Sequence, residues 1–472
     1  MNSKFKSLLK NMSYTLSSNA ITLVISVLLT LFVPKLLGTE EYAYWQLYIF
    51  YTSYVGFFHL GWIDGIYLKI GGENYEELDQ RSLGTQFWLL NVLELVIGIG
   101  ISLWALFFVQ GEMKQLILIY TAICGVITIA RTFLLFILQS TSRIQEYAKF
   151  TRYDRMFYFV LAMTYLILGG RNVQFLILLD IIARLIVLIM CGKSCQSLIL
   201  PPFAKVKDVY PEIIDNIRIG SKLMLANVAS MLIVGIIRLG IERQWNVTVF
   251  GKISLTLTIS NLFLTFINAI GVVLFPLLRK TEHSKLVQFY DAVRQLLMAG
   301  LYGMLLFYYP ARVILGAWLP KYTDALVYMA ILFPMFIYES KMSLLINTYL
   351  KTLRKEKTIL MVNVVSLAFS LVFTYLFAVK LHHLFLTVLA IIIVLAIRCN
   401  LAEMALSKEL SLNIWQDIFL ETILTVIFVF VSYFLPMKES IVIYLVSYLA
   451  YLAVKAKTLK GSFQSFKQIM KA

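Results

Sequence analysis

Residues 217–280 read IRIGSKLMLANVASMLIVGIIRLGIERQWNVTVFGKISLTLTISNLFLTFINAIGVVLFPLLRK, two long apolar runs joined by a short polar link at 242–249. About 20 apolar residues cross the hydrocarbon core of a bilayer, so the stretch predicts two membrane-spanning helices. Neither run is uniformly apolar. The first carries Asn227, Ser230 and Arg238, and the second carries Ser254, Thr258, Asn261, Thr265 and Asn268. At about 3.6 residues per turn the second set falls on one helix face, and Asn227 and Arg238, about three turns apart, share a face of the first. Polar groups left without partners in hydrocarbon cost several kcal/mol. These faces must therefore meet other helices or a hydrated cavity. Helix-to-helix contact through Ser, Thr and Asn satisfies the same requirement. Both readings stay open for the hydroxyls, whereas Arg238 needs a partner or water in either.

The composition extends this reading to the whole chain. Of 472 residues, 60% are hydrophobic and 14% charged, against about 25% charged in soluble domains. The expected class is an all-α polytopic membrane protein with about 14 transmembrane helices. They fall near 14–37, 44–68, 83–108, 115–139, 154–170, 172–191, 218–241, 249–278, 289–310, 325–350, 358–379, 384–406, 417–435 and 440–455. The net charge of +16 is spread between the apolar runs rather than gathered in a patch, which argues against a nucleic-acid partner. Cys124, Cys191, Cys195 and Cys399 lie in or at the end of apolar runs and lack the spacing of a metal site or disulfide framework. Gly192-Lys193-Ser194 resembles the end of a P-loop, but Val187 stands where the first glycine belongs. No enzyme signature, metal or cofactor is expected.

Lys and Arg concentrate in alternate links along the chain when the N-terminus is placed in the cytoplasm, which predicts an even number of spans with both termini cytoplasmic. The predicted organisation is a six-helix bundle over 1–192, a cytoplasmic linker over 193–217 with Pro201-Pro202, and a second six-helix bundle over 218–410. A further helix pair follows over 411–456, with a basic tail over 457–472. Each bundle opens on an Asn-bearing helix, with Asn19 and Asn227 in register at an offset of 208 positions. Parallel repeats of this kind are one transporter plan.

Several ionisable groups fall within the spans. Asp180 and Arg184 can pair at a spacing of four. Glu94, three residues after Asn91, and Asp64 are candidates for carrying H+ or Na+. Ser18, Thr22, Ser26 and Thr30, and again Asn363, Ser366, Ser370 and Thr374, give further polar stripes. A shared central cavity lined by Asn19, Asn227, Asn261, Thr265 and Asn268 accounts for them. Arg131, Arg238 and Arg398 would make that cavity cationic, and guanidinium forks suit phosphate oxygens.

Two links carry a family resemblance. Residues 36–72, LLGTEEYAYWQLYIFYTSYVGFFHLGWIDGIYLKIGG, resemble the polysaccharide transporter family. These are Wzx-type O-antigen and capsular repeat-unit flippases of the multidrug/oligosaccharidyl-lipid/polysaccharide exporter superfamily. The family's Leu-Gly-x-x-x-(Phe/Tyr)-Gly-x-(Tyr/Trp) link is present with Ala43 at the second glycine, followed by the Leu-Gly-x-x-Asp turn at Leu60 to Asp64. Residues 237–255, IRLGIERQWNVTVFGKISL, look like the counterpart link of the second half, with Phe250-Gly251 intact. The resemblance implies two bundles that open alternately to each side of a bacterial plasma membrane. It implies an undecaprenyl-diphosphate-linked oligosaccharide as cargo, for O-antigen, capsule or exopolysaccharide synthesis, with the diphosphate on Arg238, Arg131 and Arg398. Membrane lipid and a polysaccharide polymerase are the other partners it implies. The alternative is a cation-coupled multidrug/toxin extrusion transporter of the same superfamily, whose cavity would be acidic rather than basic. The short outer links argue against a polymerase.

Overall fold

The computed structural model describes the backbone of residues 3–280 and 286–471, with side chains for 20–265, Ile267 and 286–465. The described residues form helices and connecting turns, without strands. Two compact units divide at Val228/Ala229.

The first unit contains α1 (Ser3–Leu36), α2 (Thr39–Thr52), α3 (Trp62–Lys69), α4 (Gln80–Phe108), α5 (Glu112–Ser140), α6 (Ile144–Ile167), α7 (Val173–Ser194), α8 (Gln196–Ile199) and the beginning of α9 (Val206–Gln244). The stretch expected as a linker, 193–217, lies inside this unit, and its last part is helix. Side-chain carboxylate and amide groups start two of the spans. Asp79 accepts the Ser82 amide at 3.1 Å ahead of α4, and Asn172 accepts the Gln174 amide at 2.8 Å ahead of α7.

The Leu-Gly-x-x-Asp turn has a steric explanation. Leu60 and Gly61 both take positive φ, 55° and 83°, which breaks the chain between α2 and α3. The first turns of α9 then pass directly over α3. A Cβ on Gly61 would lie 2.4 Å from the Ser221 nitrogen, and one on Gly65 would lie 1.9 Å from the Asn216 carbonyl oxygen. Gly220 approaches the Gly61 carbonyl equally closely from the other side. Gln86 fastens the contact, accepting from Trp62 Nε1 at 2.9 Å and from Asn216 Nδ2 at 3.0 Å. Around it Trp62, Ile66, Phe133, Leu138, Val187 and Ile213 belong to one buried apolar cluster.

The second unit holds the end of α9, then α10 (Val247–Lys280), α11 (Leu286–Met304), α12 (Tyr308–Trp318), α13 (Thr323–Leu332), α14 (Met335–Ser340) and α15 (Asn347–Thr352). It continues with α16 (Glu356–Phe373), α17 (Leu384–Leu410), α18 (Trp415–Phe434) and α19 (Met437–Lys471). Wider π-type turns follow α14 at Lys341–Ile346 and α16 at Thr374–Lys380. The expected basic tail is a continuation of α19, which runs unbroken for 35 residues. At 1.5 Å per residue that is about 52 Å, longer than the hydrocarbon core is thick.

Among the described residues, ten helices are long and apolar enough to cross a membrane. Taken as one, the pair Pro320–Leu332 and Met335–Thr352, bent by 44° at Pro334, makes an eleventh; a proline interrupts the helical ladder there. The other three sequence segments correspond to α1, whose apolar part Ala20–Leu36 is shorter than a full span, to the broken α2–α3 stretch, and to α6, whose first turns are charged. The chain is a multi-pass membrane protein.

Candidate functional site

In the first unit Arg131, Asp180 and Arg184 are paired. Arg131 on α5 forms an ion pair with Asp154 on α6. Asp180 Oδ2 accepts from Arg184 Nε and from the Tyr48 hydroxyl, both at 2.8 Å, so the spacing of four does make the expected pair. Asp64 sits at the start of α3 with its carboxylate 3.8 Å from His59 Nε2, while His59 Nδ1 accepts the Gly61 amide at 3.0 Å. Glu94 is buried in α4, and its Oε1 has no hydrogen-bond partner among the described residues. Asn19 lies on α1 but outside the residues whose side chains are described, as does Asn268 on α10.

In the second unit Arg238 meets the polar stripe of α10. Its Nη2 donates to Ser254 Oγ at 3.0 Å, and its guanidinium carbon lies 5.4 Å from the centre of the Phe250 ring. Along the stripe from Ser254, Thr258 and Thr265 turn their hydroxyls back onto their own helix, to the carbonyls of Ser254 and Asn261. They therefore do not tie α10 to a neighbour. Asn261 and Thr265 are exposed, as is Asn227 on α9. An uncovered amide partway along a span is costly against lipid and cheap against water or a polar ligand.

Arg398 is placed differently. Buried on α17, it donates from Nε to Asn363 Oδ1 at 3.0 Å, from Nη1 to Glu339 Oε1 at 3.0 Å and from Nη2 to Ser230 Oγ at 2.7 Å. One guanidinium thus gathers three residues that the sequence shows only as separate polar positions. The stripe Asn363, Ser366, Ser370 and Thr374 is buried rather than wet. Ser370 donates to the Ile233 carbonyl of α9 at 2.7 Å, and Thr374 packs where Gly240 leaves room. That stripe is helix packing, which corrects the cavity-lining reading for α16.

The largest ionic cluster among the described residues of this unit was only partly legible in the sequence. Arg294 on α11, 1% exposed, donates from Nε to Glu403 Oε1 at 2.6 Å and from Nη1 to Asp417 Oδ2 at 2.7 Å. Its Nη2 lies 2.9 Å from Glu421 Oε1 but is not aligned as a hydrogen bond, so that contact is Coulombic. Lys341, opening the π turn, pairs with Glu403 and with Glu421 Oε2 at 2.8 Å. Lys455 of α19 closes onto Asp417. Three cations thus face three carboxylates, with Tyr290 and Gln295 donating to Glu403 and Asp417. Arg294 and Lys455 read as loop charges because they fall at span ends. The available signal was Asp417 and Glu421, four apart on an apolar helix, which obliges buried cations nearby.

No protein-family model matches the sequence, and no curated protein matches it. Solved structures do. The lipid II flippase MurJ in an inward closed conformation matches with a TM-score of 0.64 at 13% identity, covering 96% of this chain and 99% of that chain. The fold is shared. An inward-facing multidrug resistance MATE family transporter of the MOP superfamily matches with a TM-score of 0.58 at 14% identity, over 83% of this chain and 92% of the other. A MATE structure in the straight conformation gives 0.53 at 12%, over 86% and 96%.

Proposed function

We propose that the chain is a flippase of the multidrug/oligosaccharidyl-lipid/polysaccharide exporter superfamily, of the Wzx type. It moves a polyprenyl-diphosphate-linked oligosaccharide repeat unit across a bacterial plasma membrane by alternating access, with both termini cytoplasmic. The observation that carries this reading is the α10 face, where Arg238 is held on Ser254 at one end and Asn261 and Thr265 stay uncovered along the span. A cation at the end of a polar track suits a diphosphate followed by sugar hydroxyls. The fold match to a lipid II flippase and the two family-like links point the same way.

Arg238 is the proposed primary contact for the diphosphate. Arg131 and Arg398 are proposed as later contacts, because phosphate reaches their forks only when Asp154 and Glu339 move aside. Asn19, Asn227 and Asn268 join Asn261 and Thr265 as the proposed polar lining. Glu94 and Asp64 are the proposed coupling carboxyls for H+ or Na+. Glu94 offers a buried oxygen without a partner, so it can take up an ion without breaking a pair. A ligand biases the two access states only through differential affinity for them.

Replacing Arg238 by Ala removes one charge-assisted contact, about 1.5–3 kcal/mol, and weakens binding of a soluble short-chain polyprenyl diphosphate by about 10–100-fold. Titration of the purified protein measures it, and unchanged affinity contradicts the assignment. One observation favours the extrusion reading: Arg131 and Arg398 are already matched by carboxylates, which offsets the basic excess. On that reading organic cations bind, and they bind Arg238→Ala more tightly than wild type.

A further inference from the structure

Outside the proposed transport site, the first unit carries a small apolar groove between the start of α4 and the segment joining α8 to α9. It has a volume of about 260 Å³ and is lined by Thr85, Trp88, Leu89, Phe203, Ala204 and Val206. Its walls are fixed by hydrogen bonds. Trp88 Nε1 donates to the Ile199 carbonyl at 3.0 Å, Thr85 Oγ1 to the Ala204 carbonyl at 2.9 Å, and the Ala204 amide to the Arg81 carbonyl at 3.3 Å. Gly84 lets the two segments close, since a Cβ there would lie 2.3 Å from the Leu198 carbonyl oxygen. With its backbone so tied, the groove still leaves Trp88 47%, Phe203 42% and Val206 51% exposed. Polar anchoring of an apolar, uncovered slot is a rigid receptacle that lacks its filling.

Two further features identify the filling. Beyond the groove, α4 continues outward as an exposed apolar strip of Val92, Val96, Ile99 and Leu103. From Trp88 to Leu103 this runs about 22 Å at 1.5 Å per residue, long enough for an acyl chain to lie along. At the groove's other end Arg81, Lys205 and Lys207 are exposed and form no ion pair among the described residues. The neighbouring acids are otherwise engaged or fewer. Asp79 caps α4, Glu212 is held by Lys69 and Ser82, and Asp208 stands in the first turn of α9. An apolar slot with a cationic rim and a tryptophan at the junction matches a lipid chain beneath an anionic head.

We infer that this groove binds one anionic phospholipid of the surrounding bilayer, with its phosphate at Arg81, Lys205 and Lys207 and an acyl chain along Trp88, Phe203 and α4. The site is separate from the α10 face and stands whether or not the chain flips a lipid. Occupancy buttresses the segment that leads into α9.

Native mass spectrometry of the full-length protein in detergent tests it, with phosphatidylglycerol and phosphatidylcholine of identical chains. Wild type retains phosphatidylglycerol about tenfold more tightly, as expected for several basic groups at an anionic head. Arg81→Gln/Lys205→Gln/Lys207→Gln abolishes the preference and keeps residual binding of both lipids, and Phe203→Ser weakens both. The control Lys351→Gln/Lys357→Gln/Lys408→Gln, with the same loss of charge in the second unit, keeps the preference. Equal retention by wild type, a surviving preference in the first triple variant, or an equal loss in the control each overturns the proposal. So does displacement of phosphatidylglycerol from wild type by a polyprenyl diphosphate, absent in the first triple variant, which assigns the groove to transported substrate.

Discussion

Glu403→Gln destabilises the purified protein by about 3–5 kcal/mol, the cost of breaking a buried ion pair from one side. The geometry gives the reason. Glu403 is fully buried and holds Arg294 and Lys341 together. Without its charge, those two cations share Asp417 and Glu421, and Asp417 already serves Lys455. The loss reflects charge imbalance rather than lost packing, because Gln has nearly the same shape. Adding Lys341→Met restores neutrality, and the double variant recovers at least half of the loss. Denaturation of the detergent-solubilised protein, followed by tryptophan fluorescence, reads both effects. A single variant as stable as wild type, or a double variant worse than the single, contradicts this account. The same logic fixes the place of α18 and α19. They supply Asp417, Glu421 and Lys455, so a chain cut before α18 leaves Arg294 and Lys341 with Glu403 alone and does not fold.

Gly65→Ala is expected to be at least as damaging, through sterics. The added Cβ would meet the Asn216 carbonyl oxygen at 1.9 Å. That oxygen belongs to helix backbone and cannot swing away, so α3 and α9 must separate. Overpacking usually costs about 1–3 kcal/mol where side chains can yield, and a backbone obstacle puts this case at or above the upper end. Separation also breaks the Gln86 bridge to Asn216 and exposes part of the buried cluster around Trp62. Size-exclusion chromatography of a fluorescent fusion measures the yield of monodisperse protein, expected to fall severalfold. Gly100→Ala serves as the comparison, since nothing lies within 4 Å of its Cβ position. Ala favours helix by up to about 1 kcal/mol there. Equal yields from the two variants contradict the close-contact account.

The fold was readable because bilayer thickness acts on each segment separately. Most apolar stretches of the right length became helices and the links kept their order, while 44–68 broke into α2 and α3 and 325–350 bent. The break at Leu60-Gly61 and the bend at Pro334 fall inside stretches expected as single helices, although glycine and proline are the residue types that permit them. The polar positions were harder, for one physical reason. Periodicity shows that Asn363, Ser366 and Ser370 share a face, but not which helix that face meets. In the structure it meets α9, and a stripe that resembled a wet wall is packing. Arg131 and Arg398 likewise found carboxylates on other helices. Arg238 meets Ser254 of the α10 stripe, because the two helices are joined by a short link and local geometry carries them together. Arg294, Glu403, Asp417 and Lys455 span more than 160 positions, and no local pattern joins residues so far apart.

Translocation itself is the most direct measurement. The protein is reconstituted into liposomes loaded with a polyprenyl-diphosphate-linked oligosaccharide, and the head group reaching the opposite leaflet is counted with a membrane-impermeant glycan-modifying enzyme. Wild-type protein moves the head group well above the protein-free rate, and Arg238→Ala slows it by about tenfold or more, in line with one lost charge-assisted contact. Translocation no faster than in protein-free liposomes, with an organic cation carried across by the same preparation, would contradict the flippase account and favour extrusion.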